Sequence, residues 1–311
     1  MHKYLFFLFF LFSTIVLSQD FEILPLGVYG GGDESNLSSY LIRDYQNENY
    51  IACDAGTVRA GLIAAYKKGN LSKKPMELLQ DNVKAYFISH SHLDHLSGMI
   101  INSPEDSPKP IYAFPQTIEV LKNHYFISDT WANFSNEGEE PILGKHHYKR
   151  IDEKKYYKVK HTNLELVGFP LSHPVPSSAV WLHNVAGNSI LYLGDTGSDR
   201  IEGNGHLNKL WSTIAKNLKE GKLKAILIEV SFTNEQPENL LFGHLTPKLL
   251  VEELQQLAKY AGVKSLKNFP IIITHIKPDG DSIIQIKNEL EAYNPMQVQY
   301  IFPEQGVPLQ F

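Results

Sequence analysis

Short apolar runs alternate with turn residues and helical patterns along most of the chain. The continuous apolar run 83–88 has the length and polar flanks of a strand buried in the middle of a sheet. Residues 225–230 and 270–274 share this character, whereas 207–219 and 247–261 carry apolar residues at helical spacing. Strands that alternate with helices in this order predict a mixed α/β fold.

Residues 103–161 interrupt this alternation. A loop at 103–108 and a helix at 116–126 are followed by the basic segment 145–160. We interpret 103–161 as an insertion or cap on a single domain that spans residues 19–311. The Lys/Arg run is interpreted as a solvated hairpin or loop rather than a nucleic-acid surface. After it, strands are predicted at 164–169, 179–185 and 189–194, as they are before it at 21–28, 38–42 and 50–54.

The first 18 residues have the organisation of a secretory signal peptide. Lys3 precedes an apolar run over 5–17, and Val16 and Ser18 occupy the −3 and −1 positions of a cleavage site. The run is shorter than the roughly 20 residues that a membrane span needs, so an uncleaved anchor is only the alternative. We expect a mature chain that begins near Gln19 and acts in the periplasm or medium without a stable membrane anchor.

Composition restricts both the ligand and the metal chemistry. The 311 residues include 29 Lys and Arg against 34 Asp and Glu, a formal net charge of −5, which disfavours a nucleic-acid polymer as substrate. Cys53 is the single cysteine, which excludes an intrachain disulfide framework and a cysteine-rich metal site. Any metal site must therefore use carboxylates and some of the 13 histidines.

A His-rich motif directly follows the predicted central strand. His90, His92, Asp94 and His95 lie within six residues, at the point where the strand ends and a helix begins. His90 and His92 are two positions apart on an extended segment and are able to share one metal, whereas Asp94 and His95 lie past the turn. This spacing suits two metal ions about 3.5–4 Å apart.

Five further polar residues lie at or near the carboxyl ends of predicted strands, where α/β sheets place their ligand sites. They are His173, Asp195, His275, Glu229 at the end of the strand 225–230, and His244 in the sequence Gly-His-Leu-Thr-Pro. Each is on its own more typical of a structural residue. Their recurrence behind the His-rich motif favours one shared site.

The segment from His90 to Pro104, His-Ser-His-Leu-Asp-His-Leu-Ser-Gly-Met-Ile-Ile-Asn-Ser-Pro, resembles the signature of class II 3′,5′-cyclic-nucleotide phosphodiesterases. This family is part of the metallo-β-lactamase superfamily. Residues 26–41 and 243–247 resemble it too, so the resemblance covers nearly all of the mature chain. The order Glu229, His244, His275 is similar to that of ribonuclease Z, another phosphodiesterase of the superfamily.

The resemblance implies a four-layer αββα sandwich of the metallo-β-lactamase fold, with two metal ions at one edge. It assigns His90, His92 and His173 to one ion, Asp94, His95 and His275 to the other, and Asp195 to both. Asp54 would orient the His-rich motif from beneath. Two Zn²⁺ ions suit a donor set of nitrogen and oxygen, with Mn²⁺ or Fe²⁺ as alternatives.

The implied activity is hydrolysis of cAMP, cGMP or both to 5′-nucleotides by a hydroxide that the two zinc ions activate. The candidate catalytic residues are Asp94, His244 and Glu229. We expect His244, oriented by Glu229, to protonate the leaving 3′ oxygen. The alternative for His244 is a packing role at the start of a helix. Aromatic residues of the insertion are candidates for a base-stacking wall or for core packing, namely Tyr125, Phe126, Trp131 and Phe134.

Three other functions are compatible with the same metal motif. A lactonase, lactamase or thioester hydrolase would not need the Glu229/His244 pair. A ribonuclease Z-like RNA processor is disfavoured by the signal peptide and by the negative net charge. A protein that only binds metal or nucleotide is disfavoured by the intact ligand set. A homodimer is expected by analogy with superfamily relatives.

Overall fold

The computed structural model describes residues 19–311, so the signal peptide predicted at 1–18 lies outside the described residues. The strands are β1 (Phe21–Gly27), β2 (Ser39–Asp44), β3 (Tyr50–Cys53), β4 (Val83–Phe87), β5 (Lys109–Ala113), β6 (His146–Arg150), β7 (Tyr156–Lys158), β8 (Leu164–Leu171), β9 (Ser177–Asn184), β10 (Ser189–Leu193), β11 (Leu223–Glu229), β12 (Pro270–Thr274), β13 (Gln299–Ile301) and β14 (Leu309–Gln310). The helices are α1 (Arg59–Lys67), α2 (Pro75–Asp81), α3 (Ser97–Asn102), α4 (Pro115–Val120), α5 (Asp199–Glu202), α6 (His206–Lys219), α7 (Pro247–Ala261), α8 (Val263–Leu266) and α9 (Ser282–Ala292).

Two seven-stranded sheets of the described chain face each other across one apolar layer. The first sheet has the order β14-β1-β2-β3-β4-β5-β6, and the second has the order β13-β12-β11-β10-β9-β8-β7. Helices cover the outer face of each sheet, so the layers are helix, sheet, sheet and helix. The predicted four-layer αββα sandwich is confirmed.

The central strands read as continuous apolar runs because both of their faces are buried. In β4, Ala85 and Phe87 point into the layer between the sheets, whereas Tyr86 between them packs under the helices of the first sheet. In β11, Leu227 faces the other sheet and its neighbour Ile228 faces the helices. Side chains alternate between the two faces of a strand, so each of these strands contributes to two cores.

The outer helices bury one apolar stripe each. In α6, Leu207, Trp211 and Ile214 are fully buried against the second sheet, and they recur at three- and four-residue spacing. Helix α7 begins after Thr246, whose hydroxyl accepts a hydrogen bond from the Leu249 N–H, and Pro247 occupies its first turn. These helices shield the second sheet from solvent and leave its strand ends open.

The segment 103–161, predicted as an insertion, contributes β5 and β6 to the first sheet and β7 to the second. Strand β5 pairs in parallel with β4, and β6 pairs in parallel with β5. The helix predicted at 116–126 is present as α4 followed by a π-helical turn over Leu121–Tyr125. Strand β5 was missed because its five residues include a lysine and a proline, a composition that is unusual for a strand next to the sheet centre.

Several strands end at the same edge of the sandwich. The pairs β3/β4, β10/β11 and β11/β12 are parallel, so their carboxyl ends lie side by side. The loops that follow these strands carry most of the residues that the sequence singled out. No helix among residues 19–311 combines the length and the apolar character that a membrane crossing requires.

Candidate metal centre

Loops from both sheets bring the predicted ligands together. The His-rich motif leaves β4 as an extended segment and then forms a single 3-10 turn over Leu93–His95 before α3. His173 follows β8, Asp195 follows β10 and His275 follows β12 of the second sheet. The structure therefore places all seven predicted metal ligands at one edge of the sandwich, in two adjoining clusters.

The first cluster consists of His90, His92, His173 and Asp195. His90 Nε2 lies 3.2 Å from His92 Nδ1, and His173 Nε2 lies 3.3 Å from the same atom. The ligand atoms of the four residues all lie within 4.8 Å of one another. Atoms at this separation are close enough to bind one ion.

The second cluster consists of Asp94, His95 and His275. His275 Nε2 lies 3.0 Å from Asp94 Oδ2, and His95 Nε2 lies 3.9 Å from the same oxygen. The backbone N–H of Gly31 donates a hydrogen bond to this oxygen as well, at 3.0 Å. The loop after β1 thus fixes the orientation of the Asp94 carboxylate.

Asp195 lies between the two clusters. Its Oδ2 atom is 3.2 Å from His275 Nε2 and 3.3 Å from His95 Nε2 on one side. On the other side it is 3.7 Å from His90 Nε2 and 4.0 Å from His173 Nε2. His244 Nδ1 lies 3.8 Å from the same oxygen. A buried carboxylate between the two clusters occupies the place that the family resemblance implied for a shared ligand.

Four of the imidazoles are held by their Nδ1 atoms. Each Nδ1 pairs with a protein oxygen at 2.8–3.0 Å, so each Nε2 is left to face Asp195. The pairs are His90 with Ser89 Oγ, His95 with Asp54, His173 with the Gly243 carbonyl, and His275 with Ser231 Oγ. A hydrogen bond of this kind fixes the tautomer that leaves Nε2 free to bind a metal.

Asp54 supports the site from below, in the position that the resemblance implied. Its buried carboxylate accepts hydrogen bonds from Ser89 N and Oγ at 2.7 Å each, from His95 Nδ1 at 2.8 Å and from Tyr192 Oη at 2.5 Å. Asp54 itself has a left-handed backbone with φ 55°. The network connects the end of β3 to the His-rich motif and to β10.

Charges at His90, His173 and Asp195 match the needs of metal ligands. At His95, burial lowers the pKa, but the charges of Asp195 and Asp54 outweigh burial and raise the pKa well above its usual value. Burial lowers the pKa of His90 well below its usual value, and it lowers the pKa of His173 to about 4, so both imidazoles are neutral at pH 7. Burial would raise the pKa of Asp195, but the neighbouring His275 and His95 hold it far below its usual range. Neutral imidazole and ionised carboxylate are the forms that bind cations.

The residues present fit a divalent cation. In the described part of the chain, His95 Nε2 and Asp195 Oδ1 are buried without a hydrogen-bond partner. Buried polar atoms are rarely left unpaired in a folded protein, and His95 Nε2 faces the Asp195 carboxylate at 3.3 Å. A nitrogen and oxygen donor set without thiolate suits Zn²⁺, Mn²⁺ or Fe²⁺.

The Glu229/His244 pair adjoins the cluster. Glu229 Oε1 lies 2.8 Å from His244 Nδ1, and both side chains are buried. Burial lowers the pKa of His244, but the charge and the hydrogen bond of Glu229 outweigh burial and raise it overall. His244 Nδ1 is also 3.8 Å from Asp195 Oδ2, so His244 lies near the ligands as well.

Sequence reasoning missed Ser89 and Ser231. Ser231 Oγ donates to Glu229 Oε2 at 2.6 Å and lies 2.9 Å from His275 Nδ1 and 3.2 Å from His244 Nδ1. It therefore joins the Glu229/His244 pair to a predicted metal ligand. The only available signal was its position directly after a predicted strand, two residues beyond Glu229.

Two glycines permit close approach at the site. A Cβ atom on Gly30 would lie 2.2–2.5 Å from the imidazole of His275, which itself has a left-handed backbone with φ 54°. A Cβ atom on Gly56 would lie 1.9 Å from the Asp94 carbonyl oxygen. Any larger residue at either position would displace a predicted ligand.

The aromatic residues of segment 103–161 have different positions. Phe126 is fully buried in the core of the first sheet and is excluded as a base-stacking residue. Tyr125 is half-buried, and its hydroxyl donates to the Ser91 carbonyl within the His-rich motif at 2.9 Å. Leu93, a residue of the motif that carries the family resemblance, is 61% exposed beside the predicted ligands. Phe242, which the sequence analysis did not single out, is 62% exposed and directly precedes Gly243, whose carbonyl pairs with His173 Nδ1.

Comparison with known proteins agrees with this architecture. The family model of class-II cAMP phosphodiesterases matches residues 62–301. A 3′,5′-cyclic-nucleotide phosphodiesterase of Aliivibrio fischeri is 42% identical and covers 96% of this chain and 96% of its own. A probable 3′,5′-cyclic-nucleotide phosphodiesterase of Yersinia pestis is 37% identical over 97% of this chain and 92% of its own.

Solved structures are similar over nearly the whole described chain. The crystal structure of unliganded yeast PDE1 has a TM-score of 0.83 at 25% identity and covers 94% of this chain and all of its own. The metallo-β-lactamase fold protein YhfI of Bacillus subtilis has a TM-score of 0.65 at 15% identity, with 94% and 100% covered, and so shares the fold. The chain described here belongs to the class-II cAMP phosphodiesterases and has the metallo-β-lactamase fold.

Proposed function

We propose that this chain hydrolyses 3′,5′-cyclic nucleotides to 5′-nucleotides at a centre of two zinc ions. The observation that carries the proposal is the position of Asp195 between two clusters of ligand atoms, with the Glu229/His244 pair beside them. His90, His92 and His173 would hold one ion, Asp94, His95 and His275 would hold the other, and Asp195 would be shared between them. Bound divalent ions supply Lewis acidity, which activates water and offsets charge on the phosphate.

His244 is the proposed general acid. Water attacks phosphorus, the bond from phosphorus to the 3′ oxygen breaks, and the leaving oxygen must gain a proton to become the 3′ hydroxyl. Glu229 accepts from His244 Nδ1, which leaves Nε2 as the nitrogen that meets the substrate. Because the carboxylate stabilises the imidazolium, the pair keeps a proton available beside the reacting phosphate.

Leu93 and Phe242 are the proposed contacts for the nucleobase. Both are large apolar side chains exposed next to the ligands, one within the His-rich motif and one two residues before His244. Phe242 also has a left-handed backbone with φ 52°, a conformation that bulky residues adopt rarely and that recurs at functional sites. An aromatic ring in this position is able to stack on a purine.

An assay of the metal-reconstituted protein against four substrates tests the function. The substrates are 3′,5′-cAMP, 2′,3′-cAMP, bis-p-nitrophenyl phosphate and a β-lactam. We expect turnover of 3′,5′-cAMP and release of 5′-AMP. Turnover of the β-lactam without turnover of 3′,5′-cAMP would contradict the proposal and favour an acyl-transfer hydrolase.

We further propose that the mature protein acts in the periplasm or the medium. The support is the charged start, apolar middle and small residues of segment 1–18. Cell fractionation followed by N-terminal sequencing of the native protein tests this. A mature terminus near Gln19 outside the cytoplasm is expected, and a cytoplasmic protein that retains Met1 would contradict it.

The homodimer stays a prediction. Size-exclusion chromatography with light scattering on the mature protein is the direct measurement. A mass of one chain at micromolar concentration would contradict it.

A further inference from the structure

The basic segment 145–160 has a role that phosphodiester hydrolysis does not explain. Together with residues of β4 and β5, it lines a cavity of about 590 Å³, and a second cavity of about 670 Å³ adjoins it. The two cavities share Lys158, Lys160 and His161. Both therefore belong to one concave region, which we call the basic cleft.

The basic cleft lies at the end of the first sheet opposite the metal centre. Val83 and Lys84 at the start of β4 line it, whereas the His-rich motif follows the end of the same strand. At about 3.3 Å per residue, the strand separates the two sites by about 20 Å. Substrate bound at the metals therefore cannot reach the cleft.

The 590 Å³ cavity is lined by cationic side chains without a carboxylate among its described lining residues. Lys84, Lys149, Lys158 and Lys160 surround it together with two imidazoles, those of His147 and His161. Lys109 also lines it, but its ammonium group is 2.6 Å from the buried Asp106 carboxylate. Lys158 has only a distant partner, Glu165, at 4.0 Å.

This concentration of charge is unusual for a protein with a formal net charge of −5. Like charges around one concavity repel each other, and the repulsion is relieved when an anion binds. Lys84, Lys149 and Lys160 form no salt bridge in the described part of the chain, although Lys84 Nζ donates a hydrogen bond to the Asp81 carbonyl. They come from three different parts of the chain, namely β4, β6 and the turn after β7. The fold, rather than proximity in the sequence, therefore brings these three lysines together.

Backbone positions around the basic cleft are fixed before any ligand binds. Tyr112 Oη donates to the Lys158 carbonyl at 3.2 Å, and Asn49 Nδ2 donates to the His161 carbonyl at 2.7 Å. On the opposite wall, Ser107 Oγ donates to the Gln80 carbonyl at 2.7 Å. A backbone that is already fixed loses less conformational entropy when a ligand binds.

We propose that the basic cleft binds a small soluble polyphosphate, such as the phosphate chain of a nucleoside triphosphate. Three or more linked phosphates supply the negative charge that four lysines require. The cavity volume is within the range of small-ligand pockets and suits a ligand of nucleotide size. An extended nucleic acid fits less well, because the negative net charge outside the cleft would oppose a long polyanion.

Calorimetric titration of the metal-loaded protein with tripolyphosphate tests the proposal. The test variant is the double substitution Lys149→Gln with Lys160→Gln. The control is Lys209→Gln with Lys219→Gln, which removes the same charge from exposed positions of α6. We expect one tripolyphosphate per chain, an affinity lowered about tenfold or more in the test variant, and less than a twofold change in the control.

Four results would overturn the proposal. No measurable binding would refute it directly. Equal affinity in all three proteins would place the anion elsewhere, including at the metals, and equal weakening in both double variants would indicate diffuse attraction. Binding of phosphatidylglycerol vesicles or single-stranded RNA through these lysines, without tripolyphosphate binding, would indicate a macromolecular surface. Unchanged turnover of 3′,5′-cAMP by the test variant verifies that it is folded, and the proposal does not depend on which substrate the metal centre uses.

Discussion

Glu229 and His244 form a buried carboxylate–imidazole pair, with Glu229 Oε1 2.8 Å from His244 Nδ1. Glu229 also accepts hydrogen bonds from Thr196 N at 3.0 Å and Ser231 Oγ at 2.6 Å. The carboxylate is thus fixed from several directions, and the imidazole ring is fixed with it. Neither residue is needed to complete the two proposed ligand sets, which leaves the pair free for proton transfer.

His244→Ala should retain both metals and lose about 10²–10⁴-fold in turnover of 3′,5′-cAMP, the range for loss of one general acid. With an aryl phosphodiester the loss should be far smaller, because a phenolate leaves without protonation. Glu229→Gln should show a weaker form of this pattern. The measurements are kcat on both substrates and metal content by elemental analysis.

Equal losses on both substrates, with metal retained, would instead give His244 a role in positioning the phosphate. Loss of one metal in His244→Ala would identify it as a ligand. The proximity of His244 to Asp195 and His275 makes this second outcome worth measuring.

Asp195→Ala should abolish binding of both metals, because its carboxylate lies between the two clusters. The unmodified protein should contain about two ions per chain after metal-replete purification. Asp129→Ala, at an exposed aspartate, is the matched control and should retain both. One ion or none in the unmodified protein would rule out a dinuclear centre.

Ser231→Ala should lower kcat for 3′,5′-cAMP by about tenfold, with both metals retained. The variant leaves the Nδ1 of His275 without its partner, at a cost of about 1–3 kcal/mol, and leaves Glu229 Oε2 with only the hydrogen bond from Leu245 N at 3.3 Å. Ser212→Ala on the exposed face of α6 is the control. If Ser231 only stabilises the fold, the melting temperature will fall while kcat at 25 °C stays unchanged.

Because His146 is buried as a neutral imidazole, we expect it to lower the free energy of unfolding in mild acid. Burial lowers its pKa to about 4 even though Asp106 is near, whereas an unfolded chain titrates at about 6.5. Between these values the unfolded state binds more protons, so the contribution is complete above about pH 6.5 and is lost as the pH falls towards 4. The free energy involved is about 3 kcal/mol.

Urea unfolding at pH 7.0 and pH 4.5 measures this effect. His146→Phe should reduce the difference between the two midpoints, because a phenyl ring between Tyr86 and Phe126 does not titrate. His124→Phe, at an exposed position, should leave the difference as in the unmodified protein. The same pH dependence in His146→Phe would assign the effect to other groups.

The predictable part of the site consists of residues whose positions follow from strands alone. His90 to His95 are contiguous, and Asp195 and His275 directly follow apolar runs that had to be buried strands. The carboxyl ends of parallel strands lie at a common edge of a sheet, so the sequence predicts that these residues lie close together. The four-layer fold followed from the same pattern together with the family resemblance.

The remaining features depend on contacts between distant segments. Ser231 acquires its role only because β11 and β12 are parallel neighbours, which brings it within 2.9 Å of His275, 44 residues away. The basic run 145–160 was predicted to be a solvated hairpin or loop. Most of its lysines do reach solvent, but the hairpin is wrong because β6 and β7 lie in different sheets. The cavity that these lysines line also requires residues of β4 and β5. No local sequence pattern predicts that these strands lie next to the basic run.

Because the ligands come from both sheets, the order of synthesis determines when metal is acquired. Asp94 and His275 are separated by 181 residues and lie 3.0 Å apart only after both sheets have assembled. A nascent chain on the ribosome thus lacks the second cluster until nearly all of it has been made. We therefore expect metal binding at the second cluster to accompany or follow the assembly of the two sheets.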